Sequence, residues 1–168
     1  MIKLRTMATA FLTNSEDFLL MKRSMERKFG PGLWAGVGGH LEPREINDPR
    51  SACLREICEE TSISENNILD LKLRYIILRR SKDEIRISYV YFGQTNVREF
   101  KNTDEGELFW ISKNELFSRK FSIMNEMVLK HYLESVDKVN QEVMVGTLNS
   151  VDGQPVMNWS AVQDWEGL

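Results

Sequence analysis

Hydrophobic and polar positions partly alternate over residues 2–13 (IKLRTMATAFLT), a run rich in β-formers that predicts a strand. Asn14-Ser15-Glu16-Asp17 reads as a turn, and Phe18 to Lys22 as the returning strand of a hairpin. Phe29-Gly30-Pro31-Gly32 marks a loop. Trp34 to Val37 predicts a short strand that Gly38-Gly39 ends; two glycines there let the backbone approach a ligand closely. The period then changes. Asp48 and Pro49 suit the cap and first position of a helix reaching Thr61. Leu54, Ile57, Cys58 and Thr61 would face its core side, with Glu56, Glu59 and Glu60 on a more exposed face.

Residues 69–80 and 84–92 are again β-rich and flank Ser81-Lys82-Asp83, which predicts a long hairpin. Glu107 to Ile111 reads as a further strand, and Ser112 to Phe117 as a short helix with a serine cap. Ser122 caps a longer helix whose core positions would be Ile123, Met127, Val128, Leu133 and Val136. The pattern returns to β over Glu142 to Leu148 and Pro155 to Trp159, around a turn at residues 151–154. Strands interleaved with two or three helices imply an α/β or α+β domain with a mixed sheet.

At 168 residues the chain is read as one domain with room for a sizeable core. Its net charge of −3 gives no basic field for long nucleic acid. No run approaches the roughly 18 apolar residues of a membrane span, and the N-terminus lacks a signal-like apolar block. A cytoplasmic protein is the expectation. Cys53 and Cys58 fall on different faces of one helix, so they are expected reduced, unbridged and buried. A zinc pattern is absent.

The densest chemistry lies in Arg55-Glu56-Ile57-Cys58-Glu59-Glu60. On a helix, Glu56, Glu59 and Glu60 share one face, where like charges repel unless a cation joins them. Hard divalent ions prefer oxygen ligands and are often shared with phosphates, so the run reads as a metal site for phosphate chemistry. A solvated acidic face is the bland alternative.

The segment from Gly39 to Ile63 resembles the Nudix box, G-x5-E-x7-R-E-U-x-E-E-x-G-U, through Gly39, Glu45, Arg55, Glu56, Ile57, Glu59, Glu60 and Ile63. LLMKR, FGPGLWAGVGGHLEP and DEGELFWIS extend the similarity over about residues 4–133. It is most similar to the MutT-type branch, which includes 8-oxo-dGTP diphosphatases. The resemblance implies a Nudix-like α/β/α sandwich with a mixed β-sheet, and residues 142–160 would add a C-terminal β-hairpin. It implies hydrolysis of a nucleoside diphosphate linked to another group, with Mg²⁺ or Mn²⁺ as cofactor. Glu59, Glu60 and the Gly39 carbonyl would be metal ligands, and Glu56 a ligand or the water-activating base. Arg55 would orient the glutamates, and Glu105 would supply a further carboxylate.

Two departures stand out. Nine residues rather than seven separate Glu45 from Arg55, as if Ile46-Asn47 were inserted, which leaves open whether Glu45 reaches Arg55. Ser62 also replaces the glycine after the helix, at a cost of roughly 1 kcal/mol if that position is left-handed.

For the substrate, Phe29 and Trp34 are candidates to stack on a base, with core packing the alternative. Lys22 and Arg23 would meet phosphates or solvent, and so would His40. His131 reads as a surface or core residue, and Met124 and Met127 as core. Ala35 stands where an asparagine reads the purine in the 8-oxo-dGTP branch, and Asn125 is a weak substitute for that branch's acidic pair.

The leading expectation is cleavage of a nucleoside triphosphate, such as 8-oxo-dGTP, to monophosphate and pyrophosphate. The alternatives are a pyrophosphatase for ADP-ribose or another nucleotide conjugate, and a non-catalytic nucleotide- or protein-binding module. An isopentenyl diphosphate isomerase is disfavoured, since both cysteines lie inside the helix. The partner is a small nucleotide; a homodimer is left open.

Overall fold

The computed structural model describes residues 1–27, 30–135, 142–164 and 166. Among them are nine strands and two α-helices. The strands are β1 (Lys3–Asn14), β2 (Asp17–Arg23), β3 (Trp34–Ala35), β4 (Val37–His40), β5 (Ile68–Ser81), β6 (Glu84–Thr95), β7 (Gly106–Ser112), β8 (Val143–Val151) and β9 (Gln154–Val162). The helices are α1 (Pro49–Thr61) and α2 (Ile123–Ser135).

Alternation along β1 sorts the core into two layers. Ala8, Ala10 and Leu12 join Ala52, Cys53, Leu54 and Ile57 of α1 on one side of the sheet. Phe11, on the other side, joins Val90, Phe92 and, from α2, Val128 and Leu129. A mixed sheet thus lies between two helices, as the sequence pattern implies. Complete burial of side chains such as Ile57 and Leu129 contributes about 1.5–3 kcal/mol each.

The strand order is β3-β2-β1-β6-β5-β8-β9, with β4 beside β1 and β7 beside β2. β1 runs parallel to β6 and β5 parallel to β8; the other pairings are antiparallel. β1 and β2 pair only near their shared turn, at Leu12↔Leu19 through Asn14↔Asp17. Beyond that they part. β3 then pairs with β2, and β4 with β1, filling the gap between them. The chain crosses at Gly36, where a Cβ would stand 2.4 Å from the Ala10 carbonyl oxygen. This splits the single strand expected at residues 34–37. Gly38 and Gly39 do not end it, but lie within β4, opposite Thr9 and Ala8. β3 and β4, set in that gap, line the cleft described below.

The C-terminal hairpin forms as expected. Asp152 and Gly153 both take positive φ, the requirement of a tight two-residue hairpin turn. β8 and β9 extend the sheet beyond β5.

Several local expectations are corrected. Cys58 is exposed and only Cys53 is buried, so the helix turns its second thiol to solvent. Burial pushes the Cys53 thiol up to about 12, leaving it unreactive. Ile123 is exposed, because α2 begins there and its inward face starts at Asn125. Val136 lies outside the described residues. A 3-10 helix spans Lys113–Ser118, but the Ser112 side chain makes no capping bond. Ser122 does cap α2, accepting from the Asn125 N–H at 3.3 Å. No helix among the described residues is long and apolar enough to cross a membrane.

α1 starts as read. Asp48 accepts from the Ser51 N–H at 3.1 Å, and Pro49 occupies the first turn. It stops at Ser62, whose φ of 64° and ψ of 12° are left-handed. Ser62→Gly is therefore expected to stabilise the fold by about 1 kcal/mol, read as a higher midpoint in chemical denaturation.

Candidate active site

Helix α1 delivers the acidic run to the strand that fills the gap. Its amphipathic pattern buries Ile57 at the sheet, and this carries Glu60 inward with it: Glu60 is only 5% exposed. Glu60 Oε2 accepts the Gly38 N–H at 2.9 Å. Glu56 lies over Gly39, where a Cβ would meet its carboxyl at 2.5–2.6 Å. A side chain at that position would push the Glu56 carboxyl aside. Glu59, by contrast, is largely exposed, with 59% of its side chain accessible. The expectation that all three lie on a more exposed face is thus corrected. Glu60 is buried, Glu56 half-buried and Glu59 outside.

Arg55 organises the group. Its Nη1 donates to Glu56 Oε1 at 2.9 Å and to Glu59 Oε2 at 3.0 Å. Its Nε and Nη2 donate to the two oxygens of Glu45 at 2.8 and 2.9 Å, and Nη2 also reaches the His40 carbonyl at 3.1 Å. Glu45 therefore does reach Arg55, despite the longer spacing. The extra residues are taken up after a 3-10 turn at Pro43–Glu45, which leaves Ile46 55% exposed. The guanidinium holds the Glu45 carboxyl down to about 2, through the paired hydrogen bond first.

Glu105, just before β7, brings its carboxyl against that of Glu60. Burial above all, and then Glu105 nearby, pushes Glu60 up to about 8, while the Gly38 N–H opposes the rise. Burial also raises Glu56, against the pull of Arg55. Arg27 pairs with Glu105 at 3.2 Å.

Glu56 and Glu105 border a cleft of about 650 Å³, with Glu60 buried behind them at Gly38. Gly38, Gly39, Glu56 and Glu105 line one part of it, and Arg23, Trp34 and Ala35 another. Trp34 is half-buried, with Arg119 over its ring at 5.2 Å and Phe109 at 5.3 Å, so it both packs and faces the cleft. Asn125 and Met124 also line it, and the Asn125 side chain is buried there. Lys22 is exposed and lies apart from this lining. Phe29 lies outside the described residues. His40 lines the cleft, and burial lowers its pKa. His131 packs between Tyr75 and Trp159, its Nδ1 3.0 Å from the Tyr75 hydroxyl.

Sequence reasoning missed Arg5, Arg27, Arg79, Arg86 and Ser88, all in the cleft wall. The hairpin turn at residues 82–83 was a usable signal. Counting outward from Ser81↔Glu84 pairs Arg79 with Arg86.

The donor set fits a hard divalent cation. Burial and the nearby Glu105 raise the Glu60 pKa, and Glu56 stands beside them, so a cation among these groups would favour their charged forms. As they lie, no three carboxylate, imidazole or thiolate groups among the described residues form a ready cage. Glu56 and Glu59 turn instead to Arg55.

A mixed sheet thus lies between helices, with glutamates from one helix set over a glycine strand. The sequence model of the NUDIX domain matches residues 3–132, and the chain belongs to the Nudix family as a Nudix hydrolase. Nudix hydrolases generally use divalent metal ions. Among solved structures, the MutT mutator protein of Bacillus halodurans aligns over 94% of this chain and 97% of its own, at 19% identity and TM-score 0.68. The NUDIX domain of Shewanella oneidensis NrtR, complexed with ADP ribose, aligns over 81% and 89%, at 16% identity and TM-score 0.62. A C. elegans Ap4A hydrolase aligns over 82% and 100%, at 14% identity and TM-score 0.62. These likenesses are of fold. Comparison with curated proteins returns no match.

Proposed function

We propose that this chain hydrolyses a phosphoanhydride bond of a nucleoside triphosphate, giving a nucleoside monophosphate and pyrophosphate. The observation that carries the reading is the convergence of Glu56, Glu60 and Glu105 on the Gly38-Gly39 strand at a cleft large enough for a nucleotide. Glu56, Glu60, Glu105 and the Gly39 carbonyl would hold Mg²⁺, with Mn²⁺ as a substitute, and Glu59 would join them on leaving Arg55. Such an ion, when bound, neutralises phosphate oxygens and makes water more acidic.

The chain's own residues do the rest. Glu56 stands in the cleft with its pKa raised by burial, which suits it to accept the proton of an attacking water. Arg55 fixes the rotamer of Glu56 by a 2.9 Å bond. Arg23 supports the phosphate chain from the cleft wall, whereas Lys22 lies apart from it. Trp34 offers a ring face to a base, and the Asn125 amide offers both a donor and an acceptor to a base edge. An oxidised purine such as 8-oxo-dGTP is the first substrate to test. A cytoplasmic setting belongs to the same proposal, in keeping with two free thiols.

A second reading, a pyrophosphatase for ADP-ribose or another nucleotide conjugate, is favoured by the similar fold of the ADP-ribose-bound domain and the Ap4A hydrolase. A nucleotide panel with Mg²⁺, its products identified by mass, separates them. Monophosphate plus pyrophosphate is expected. Cleavage of ADP-ribose alone would transfer the assignment to the second reading, and tight binding without turnover would reject both.

A further inference from the structure

Three arginines stand abreast in the cleft wall. Arg5 of β1 is in register with Arg86 of β6, and Arg86 with Arg79 of β5. Laterally paired residues of adjacent strands point to the same face, about 4.8 Å apart. That face is the one that carries Met7, Thr9 and Ser88 into the cleft. Like charges directly opposite one another destabilise a sheet. Three in a row is an arrangement that a folded protein keeps only with compensation.

Glu84 supplies part of that compensation. Glu84 pairs with Arg86, and its other oxygen is 3.8 Å from Arg5 Nε. The carboxylate is thus divided between two of the three. Arg79 Nε is buried and has no hydrogen-bond partner. Burial, and next the neighbouring Arg86, lower the Arg79 pKa, while Glu84 opposes the shift. Guanidinium groups in this density match the planar, multi-oxygen geometry of phosphate.

The row also lies at a defined distance from the carboxylates. Arg5 is three residues from Ala8, whose register partner is Gly39, which places it about 10 Å along β1 at roughly 3.3 Å per residue. An arginine side chain spans much of that gap.

The geometry points to the Arg5–Arg86–Arg79 row as an anion-binding subsite, which holds a phosphate group of the substrate other than the one held at the carboxylates. Its place in catalysis rests on the proposed hydrolysis; its affinity for an anion does not. The subsite positions the far end of a polyphosphate and sets a preference for substrates that carry one. The carboxylate end repels phosphate without a metal, so the row can be probed alone.

The test is calorimetric titration of the full chain with inorganic tripolyphosphate in EDTA, at low and at moderate salt. Wild type is expected to bind, more weakly at higher salt. Arg79→Gln and Arg5→Gln are each expected to weaken binding at least about tenfold. Arg98→Gln, whose guanidinium pairs with Asp17 away from the cleft, is expected to leave binding unchanged. With Mg²⁺ and the nucleotide that is turned over, Arg79→Gln should raise KM about tenfold and change kcat little. Should Arg79→Gln fail to fold, Arg5→Gln decides on the same readout. Absence of tripolyphosphate binding by wild type, or undiminished binding by the folded variants, overturns the subsite. Loss of tripolyphosphate binding in the variants, in a protein that turns over no nucleotide, would uphold the subsite and reject the hydrolase proposal instead.

Discussion

Glu60→Gln is expected to lower nucleotide turnover by about two to four orders of magnitude with the fold intact. The side chain is almost fully buried, accepts the Gly38 N–H and meets the Glu105 carboxyl. A glutamine oxygen can still accept that N–H, so the local structure survives. What disappears is a negative charge at the point where a divalent ion and the reacting phosphate would meet. A glutamine never has to carry a charge in this buried position, so the melting temperature should hold or rise. Weaker Mg²⁺ binding by calorimetry should accompany the loss of kcat. Near-normal turnover in a folded Glu60→Gln protein would sink the assignment of this residue.

Arg55→Ala should produce the largest fall in stability, about 3 kcal/mol by urea denaturation at neutral pH. One guanidinium, only 20% exposed, binds Glu45, Glu56, Glu59 and the His40 carbonyl. Its removal leaves three carboxylates without their shared cation, Glu45 among them at 8% side-chain exposure. Arg55→Lys should recover little, because an ammonium cannot grip both Glu45 oxygens while reaching Glu56 and Glu59. Acid reports the same pair. Glu45 is depressed from 4.5 to about 2, so its contribution is complete above the ordinary carboxylate range and is lost as pH falls through about 2. The stability gap between wild type and Arg55→Ala should therefore narrow on acidification. A gap that is constant from pH 7 to pH 2 would contradict the role given to Glu45.

The sequence made local features legible. Asp48-Pro49 states the start of α1 through cap and ring chemistry, and the hairpins around residues 82–83 and 152–153 follow from turn residues between β-rich runs. The glutamates of α1 were legible because helical spacing fixes them on their own element. Their unequal depth was not. It depends on how far α1 sinks toward β4, where the glycines permit contact. The Glu45–Arg55 pair was obscured because residue counting does not show where the extra residues loop out. Arg5 was obscured for another reason. Its neighbours belong to a strand far along the chain, and pairing of β1 with β6 leaves no local trace.

That pairing also orders the assembly of the molecule. β1 meets β6 across roughly eighty positions of chain, whereas β4 and α1 lie within about sixty residues of the first strand. Closing the longer loop costs more chain entropy before any contact rewards it. During synthesis, the glycine strand and the glutamate helix emerge together and can dock on β1 while β6 is still unmade. The arginine wall exists only after β6 has been laid down beside β1. A nascent chain therefore carries the helix glutamates of its cleft first, and gains the arginine row that would draw in a polyphosphate, and then Glu105, only once β6 has followed.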